Sequence, residues 1–284
     1  MGILRRSTSM VAPEAWEELD KQARLVFLTA LSARKFVDFV GPKGWDYAAH
    51  PLGRLYVDPQ QPDALRYGIN TLLPLVEVRQ SFRLDIWELD DIVRGCRNPD
   101  LTPLEEAARA MAEFEEKIIY NGFESADIAG LSGAGADNAV TLEFDLESVD
   151  FELFFLRSLA AARDKFRDAF VQGPYTLVAC PSLWNAIYTA GDTLPFSDRV
   201  KNLTGGDIVR SNLEGASYLL SRRGGDFELV VGQDLSLGYD GREGSKVKFF
   251  FAESFTFNVV NPEAIVPLVF QTDTEDAEDA EYEA

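Results

Sequence analysis

The stretch that most constrains the fold lies near the C-terminal end, at residues 221–263, where apolar side chains recur with a period of two. Phe227 and Leu229 begin the alternation, and it resumes in residues 247–259 after the dipeptide Asp240-Gly241. Aromatic and β-branched residues in two runs separated by Asp-Gly predict a long antiparallel pair of strands. Apolar side chains occupy both faces of this pair, so other parts of the protein must cover each face.

The net negative charge of the chain limits the kinds of molecule that it can bind. The chain of 284 residues has a formal net charge of −20, and seven of its acids lie in residues 273–284, so that the remainder carries −13 (20 − 7). Such a surface repels nucleic-acid phosphates and argues against DNA or RNA binding. Cationic partners, metal ions or solubility alone fit this charge better. The apolar content of 46% is ample for one large domain or two.

The cysteines and the N-terminal residues predict a cytoplasmic protein. Cys96 and Cys180 lie far apart and form no disulfide framework, which favours a reducing compartment. No apolar segment typical of a signal peptide precedes residue 11, and no apolar run approaches the ~18 residues that a membrane span needs.

Helical and strand patterns alternate along the chain and predict an α+β fold. Amphipathic helices are expected at 13–35, 103–122 and 150–170. Thr102 is expected to cap the second of these helices, with Glu105 completing a capping box.

The regions between these helices are predicted as follows. Residues 51–74, polar at their centre, predict a projecting β-arm, and 74–90 alternate like a strand. The Gly- and Ala-rich residues 129–137 predict a flexible connector.

Residues that carry chemistry are scarce. His50 is the only histidine, which excludes a histidine metal cluster, and a structural role for it is favoured over catalysis. Acid pairs such as Glu115-Glu116 are interpreted as solvated helix faces. The apolar stripe of residues 13–35 is either plain core or a groove for a partner's segment, with Arg34 and Asp38 supplying opposite charges at one end. No catalytic residue and no metal site are predicted, so a structural or binding role is favoured over an enzyme.

Several segments nevertheless resemble a known family. Among them are ARKFVDFVGPKGWDYAAHPLGRL, PLVEVRQSFRLDIWELDDIVRG and RRGGDFELVVGQDLSLGYD. They resemble the encapsulins, prokaryotic nanocompartment shell proteins that are also labelled linocin-type bacteriocins. The resemblance covers about residues 4–270 and leaves out the acidic tail.

The resemblance implies an α+β fold of the Hong Kong 97 phage major capsid type. Residues 1–50, 75–135 and 222–270 would form the peripheral domain, with 103–122 as its spine helix. Residues 51–74 would be an extension loop that lies on a neighbouring subunit, and 136–221 the axial domain. The tail, residues 271–284, is expected to be disordered.

The resemblance also implies a function. The chain would be a homo-oligomer that assembles an icosahedral shell around a cargo enzyme, which would be a ferritin-like protein, a peroxidase or a hemerythrin-like protein. Nucleic acid and membrane are not expected partners. A C-terminal targeting peptide of the cargo would dock on the inner wall. The matching positions are Phe27, Leu31, Arg34, Asp38, Asp234 and Leu235.

Two further sites are implied in the same way. The loop Ala190, Gly191, Asp192, Thr193 and Leu194 matches the lining of a fivefold pore, where repeated copies of Asp192 would form an acidic ring that attracts iron. Trp87, with Arg79 on the same alternating stretch, resembles a place where part of the family binds flavin by stacking. A plain surface tryptophan is the favoured alternative, so no cofactor is required.

Two other functions compete with the shell protein. A phage or prophage major capsid protein that packages DNA would favour cationic side chains on the lumen, unlike this chain. A secreted bacteriocin or protease finds no support in a chain without a recognisable signal peptide and with a single histidine.

Overall fold

The computed structural model describes residues 2–61, 65–191, 195–215 and 217–270. The chain divides into two compact units. The first unit comprises Met1–Gly130 and Phe227–Val260, and the second comprises Leu131–Asp226 and Asn261–Ala284. The sequence-based division kept 222–270 in one piece, whereas residues 261–270 here belong to the second unit, because their strand pairs there.

The described residues contain seven α-helices and eleven strands. The helices are α1 (Pro13–Ala30), α2 (Ile86–Val93), α3 (Thr102–Asn121), α4 (Gly130–Ala134), α5 (Phe151–Asp168), α6 (Pro181–Thr189) and α7 (Phe196–Thr204). The strands are β1 (Asp38–Val40), β2 (Ala49–Tyr56), β3 (Ile69–Pro74), β4 (Val76–Asp85), β5 (Val140–Leu142), β6 (Tyr175–Ala179), β7 (Ile208–Arg210), β8 (Tyr218–Ser221), β9 (Phe227–Glu243), β10 (Lys246–Val259) and β11 (Ile265–Phe270). None of these helices is long and apolar enough to cross a lipid bilayer.

Strands β9 and β10 form the long antiparallel hairpin that the sequence predicts, with Phe227 opposite Val259. The predicted turn at Asp240-Gly241 is wrong. The chain turns at Gly244-Ser245, where Gly244 adopts a left-handed φ of 61° that costs glycine little. Asp240 instead lies in an irregularity of the ladder, because Lys248 pairs with Gly241 while the next residue pairs with Tyr239.

The hairpin forms the centre of a four-stranded sheet with the order β1-β9-β10-β4. Helices α1 and α3 contribute Leu19, Leu104 and Met111 to the same buried core as Phe249 and Phe251 of the hairpin. Each such side chain contributes about 1.5–3 kcal/mol of stabilisation on burial.

The other face of the hairpin is also packed. The ring of Phe250 lies so close to Gly238 that a Cβ there would come within 2.3 Å of it. The guanidinium of Arg79 stacks over the same ring, with its carbon 5.4 Å from the ring centroid.

Both ends of α3 follow from local chemistry, but the predicted capping box is absent. Thr102 is already helical, and its N–H donates to the Asp100 carboxylate at 3.1 Å. Glu105 instead accepts a hydrogen bond of 2.6 Å from the Gln22 side chain on α1. Gly122 ends the helix with a φ of 85°, and a Cβ there would approach the Ile128 carbonyl oxygen to 2.5 Å.

Helix α1 stops at Ala30, five residues before the predicted end, because Leu31 takes an extended backbone conformation. A 3₁₀ turn, Ala33–Lys35, follows and begins with Ser32 as its cap position. Because the helix ends here, Arg34 reaches the buried carboxylate of Glu115, with which it forms an ion pair.

The predicted β-arm is present as a two-stranded sheet, β2 with β3. Residues 62–64, within the arm, lie outside the described residues. The predicted alternating stretch 74–90 is strand only as far as Asp85, whose carboxylate accepts a hydrogen bond from Trp87 N at 3.0 Å and so caps α2. Trp87 therefore lies on a helix rather than on the strand that carries Arg79.

The second unit contains a mixed five-stranded sheet with the order β5-β11-β8-β6-β7. Phe151 and Phe155 of α5 stack with a centroid distance of 5.6 Å, and Phe196 of α7 packs edge-on against Phe151 at the same distance. Residues 129–137 are not the flexible connector that their composition predicts. They form α4 and a short 3₁₀ turn, because Leu131 is fully buried and Gly135 packs closely against Ile265.

Candidate binding groove

A cavity of about 460 Å³ opens in the first unit between the end of α1 and the β9–β10 hairpin. We call it the groove. It is lined by Asp20, Ala23, Arg24, Phe27, Leu28, Leu31, Arg34, Lys35, Asp234, Leu235, Leu237 and Phe251. Five of the six positions implied for peptide binding therefore lie together, although they come from two distant parts of the sequence. Asp38 does not line the groove: it is exposed on β1, in register with Glu228 of β9.

The floor of the groove is apolar. Phe27 packs edge-on against Phe251 with a centroid distance of 5.3 Å, and Leu31 is buried beside it. Leu28, by contrast, is 62% exposed at the rim. Part of the α1 stripe is plain core, since Leu19 is fully buried, whereas Phe27 and Leu28 near the end of the helix line the groove.

Arg34 closes one end of the groove and is held by three carboxylates. Its Nε and Nη2 donate to Glu115 at 2.8 and 2.5 Å, Nη2 also donates to Glu253 at 2.7 Å, and Nη1 donates to Asp234 at 2.8 Å. We call these four residues the Arg34 cluster. Burial alone would lower the pKa of Arg34, but its hydrogen bonds to Glu115 and the three negative charges outweigh burial and raise it.

The carboxylates of Glu115 and Glu253 in this cluster are fully buried, whereas Asp234 is 41% exposed. Burial raises the pKa of Glu253 well above its ordinary value, and the charge of Glu115 adds to this effect, while Arg34 opposes it. Arg34 therefore contacts two carboxylates that are shielded from water and one that is in contact with water.

Glu116 is a second buried acid next to the cluster. Its carboxylate accepts hydrogen bonds from Ser32 Oγ and from Ala33 N, the latter at 2.8 Å. The hydroxyl groups of Ser32 and Tyr120 lie 2.7 Å apart and extend the network. Burial raises the pKa of Glu116 to about 7, against the opposing effect of these hydrogen bonds.

The prediction that Glu115-Glu116 form a solvated face is therefore wrong. A signal was present in the sequence, because Glu115 falls four residues after Met111 and three before Ile118, on the buried stripe of α3. A glutamate at a position of the buried stripe must find a partner of opposite charge, so such a position indicates a buried ion pair.

The wall of the groove opposite α1 is a bulge in β9. Ser236 pairs with Ala252 and Gln233 pairs with Ser254, so that Asp234 and Leu235 together stand opposite the single residue Glu253. Side chains hold the bulge: Gln233 N donates to Ser254 Oγ at 2.8 Å, and Leu235 N donates to the Asp234 carboxylate at 2.9 Å.

The other candidate sites are less complete. Asp192, Thr193 and Leu194 of the pore loop lie outside the described residues, and Ala190 and Gly191 follow the end of α6. Trp87 is 66% exposed on α2, and Arg79 is paired with Glu77 at 2.8 Å.

His50 supports the arm rather than any catalytic group. Its Nδ1 lies 3.2 Å from the Tyr47 hydroxyl, and its Nε2 lies 3.7 Å from Glu228. Within the described ranges, no group of three or more His, Cys, Asp or Glu side chains has the arrangement that a metal ion needs.

Comparison with solved structures defines the class of protein. A virus-like particle from Pyrococcus furiosus matches with a TM-score of 0.63 at 18% identity, covering 88% of this chain and 97% of that one. The capsid of Myoviridae phage XM1 matches with a TM-score of 0.56 at 11% identity, covering 85% and 92%. The fold is therefore the Hong Kong 97-like capsid fold, as predicted.

The family follows from sequence comparison. A family model described as encapsulating protein for peroxidase matches residues 1–256, and the type 1 encapsulin shell protein of Rhodospirillum rubrum is 36% identical over 276 residues, covering 94% of this chain and 96% of the relative. The chain belongs to this family of encapsulin shell proteins. It is a structural, capsid-like protein that forms homo-oligomeric shells, and not an enzyme.

Proposed function

We propose that the shell encloses a cargo enzyme and that the groove binds a targeting peptide at the C-terminus of that enzyme. The observation that carries the proposal is the groove itself, in which Phe27, Leu31 and Leu235 offer an apolar floor beside the charged Arg34 cluster. A short peptide with aliphatic side chains would fill such a groove, and its backbone and polar groups would meet the charged end.

The structure changes the role of Arg34 in this proposal. Because three carboxylates already surround the guanidinium, Arg34 is not a free cation for an acidic peptide residue. The group that faces the groove at this end is the half-exposed Asp234 carboxylate, which suits N–H donors of the peptide. Arg34 acts by holding Asp234 in place.

The proposed cargo is an enzyme that acts on peroxide or a protein that stores iron. A peroxidase is favoured because the matching family is described by that cargo, and a ferritin-like or hemerythrin-like protein would serve iron storage or protection from oxidative stress in a similar shell. Small solutes or iron would enter through a pore lined by residues 190–194, with Asp192 as the acidic residue. A flavin near Trp87 remains a secondary proposal, which the absorbance spectrum of purified shells would test.

The first experiment is to purify particles from the native host, image them by negative-stain microscopy and identify their contents by mass spectrometry. Uniform closed shells with a co-purifying peroxidase, ferritin-like or hemerythrin-like protein are expected. Shells that contain only DNA would contradict the proposed function and support that of a phage capsid protein.

A matched pair of variants then tests the groove. Leu28 and Leu25 are both exposed leucines of α1, but only Leu28 lines the groove. Leu28→Asp should abolish cargo loading while shells remain closed, because an apolar peptide in the groove would have to desolvate the new carboxylate at the rim. Leu25→Asp should load normally. Full loading of Leu28→Asp shells would contradict the site.

A further inference from the structure

The groove wall depends on side-chain contacts more than on the β-ladder. Asp234 and Leu235 lie in the bulge of β9, where the regular pairing with β10 is interrupted. The Asp234 carboxylate both accepts from Arg34 and receives the N–H of Leu235. The position of the wall is therefore tied to the charge state of the groups around Arg34.

Glu253 stands directly behind this wall with an incomplete set of partners. Its Oε1 accepts a hydrogen bond from Arg34, whereas its Oε2 is buried and has no hydrogen-bond partner in the described part of the chain. Leaving an ionised carboxylate oxygen dry and unpaired is costly. A proton on Glu253 removes that cost, and the neighbouring Glu115 carboxyl is within reach to accept its hydrogen bond.

The charges that face Glu253 favour this protonated form. With every group ionised, one guanidinium meets three carboxylates, and a proton on Glu253 reduces the excess negative charge by one. On β4 the residue opposite Glu253 is the apolar Val78. Glu116 on α3 acts on Glu115 rather than on Glu253, and the charged residues Asp20, Arg24 and Lys35 line the groove.

We propose that Glu253 is a positioning residue that carries a proton when the groove is competent to bind, and that loss of this proton releases Asp234 from Arg34 and weakens peptide binding. The link to the peptide rests on the function proposed above, but the proton and the movement of the wall do not.

The release follows from competition for one guanidinium. An ionised Glu253 binds Arg34 more strongly and repels Asp234, which is half exposed and can turn towards water at little cost. Leu235 N then loses its acceptor, and the bulge loses one of the contacts that fix it. Because the proton is bound more tightly in the competent form, affinity falls as pH rises.

Hydrogen–deuterium exchange on assembled shells tests the wall without any cargo. The protection of residues 233–236, corrected for the intrinsic effect of pH, should fall as pH rises through the range in which the wild-type shells stay closed. Glu253→Gln should keep its protection across this range, since the amide mimics the protonated acid. Glu115→Gln is the second variant if Glu253→Gln does not fold, and Glu77→Gln on the exposed side of β4 is the control.

Peptide binding tests the coupling. The probe is a fluorescein-labelled synthetic peptide of the C-terminal segment of the protein that co-purifies with the shells. Its Kd should rise about tenfold per pH unit above the midpoint for the wild type and stay flat for Glu253→Gln. Absence of binding at every pH would contradict the proposed function alone. Identical pH profiles of exchange in the wild type and Glu253→Gln would overturn the proton switch.

Discussion

The two units bury different kinds of polar side chain. In the second unit most of them are small hydroxyls, such as Ser221, whose Oγ donates to the Gln172 carbonyl oxygen at 2.8 Å. Among the described residues of this unit the one buried acid is Asp226, which is paired with Arg223 at 2.7 Å. In the described part of the first unit three glutamates are buried. They are Glu115, Glu116 and Glu253.

This difference shows where packing is coupled to charge. A hydroxyl that donates to a backbone carbonyl does not change its charge with pH. We therefore expect the stability of the second unit to depend on its aromatic core more than on pH. Two buried carboxyl groups on Arg34 and a third on the neighbouring Ser32 and Ala33 make the first unit sensitive to changes in charge, and Arg34 itself lines the groove.

The strongest test of this contrast removes the cation from the Arg34 cluster. Arg34→Met should cost about 3–5 kcal/mol of unfolding free energy, because the change leaves the buried Glu115 carboxylate without its cation and removes the donor to Glu253. Guanidinium unfolding at a fixed protein concentration measures the effect. The double variant Arg34→Met with Glu115→Gln should recover part of the loss, and equal stability of the single and double variants would contradict the electrostatic cause.

The second test follows the proton on Glu116. Burial raises its pKa from the ordinary 4.5 to about 7, so the folded state binds this proton more tightly than the unfolded state. The stabilisation is fully present below pH 4.5 and is lost as pH rises through about 7, by about 3 kcal/mol for the 2.5-unit shift (7 − 4.5). Glu116→Gln should flatten this part of the pH–stability curve, and an unchanged slope would remove Glu116 as its source.

The smallest effect is expected for a surface pair of the second unit. Arg199 of α7 pairs with Glu152 of α5 at 2.5 Å, but their side chains are 47% and 31% exposed. Arg199→Met should change the unfolding free energy by less than about 1 kcal/mol and weaken the dependence of stability on salt. A loss comparable to that of Arg34→Met would show that burial does not distinguish the two sites.

Much of the fold could be predicted because it depends on periodicity. The β9–β10 hairpin, the arm and the long helix α3 all follow from patterns with a period of two or near 3.6. Their ends could not be predicted as well. Asp-Gly is a strong turn signal, yet the chain turns at Gly244-Ser245 because the register of the whole hairpin decides which glycine serves as the turn.

The apolar stripe of residues 13–35 left a groove open as one of two alternatives, and only the family resemblance brought positions from α1 and β9 together in it. The burial of Glu115 and Glu116 was not predicted because a charged side chain on a helix is normally solvated. The spacing of Glu115 on the buried stripe of α3 was a signal of its burial, but the partners of both residues could not be read from the sequence. Arg34 lies 81 residues from Glu115 and 219 from Glu253 along the chain, so local patterns carry no sign of the contact.

The arm of β2 and β3 exposes apolar side chains that affect how a newly synthesised chain behaves before it assembles. Leu55 and Tyr56 are consecutive, point to opposite faces and are each 59% exposed, and Ile69 and Leu72 on the other strand are exposed too. A two-stranded ribbon with wet apolar side chains on both faces is marginal by itself and adheres to other strands. We therefore expect an arm that stays uncovered to promote aggregation.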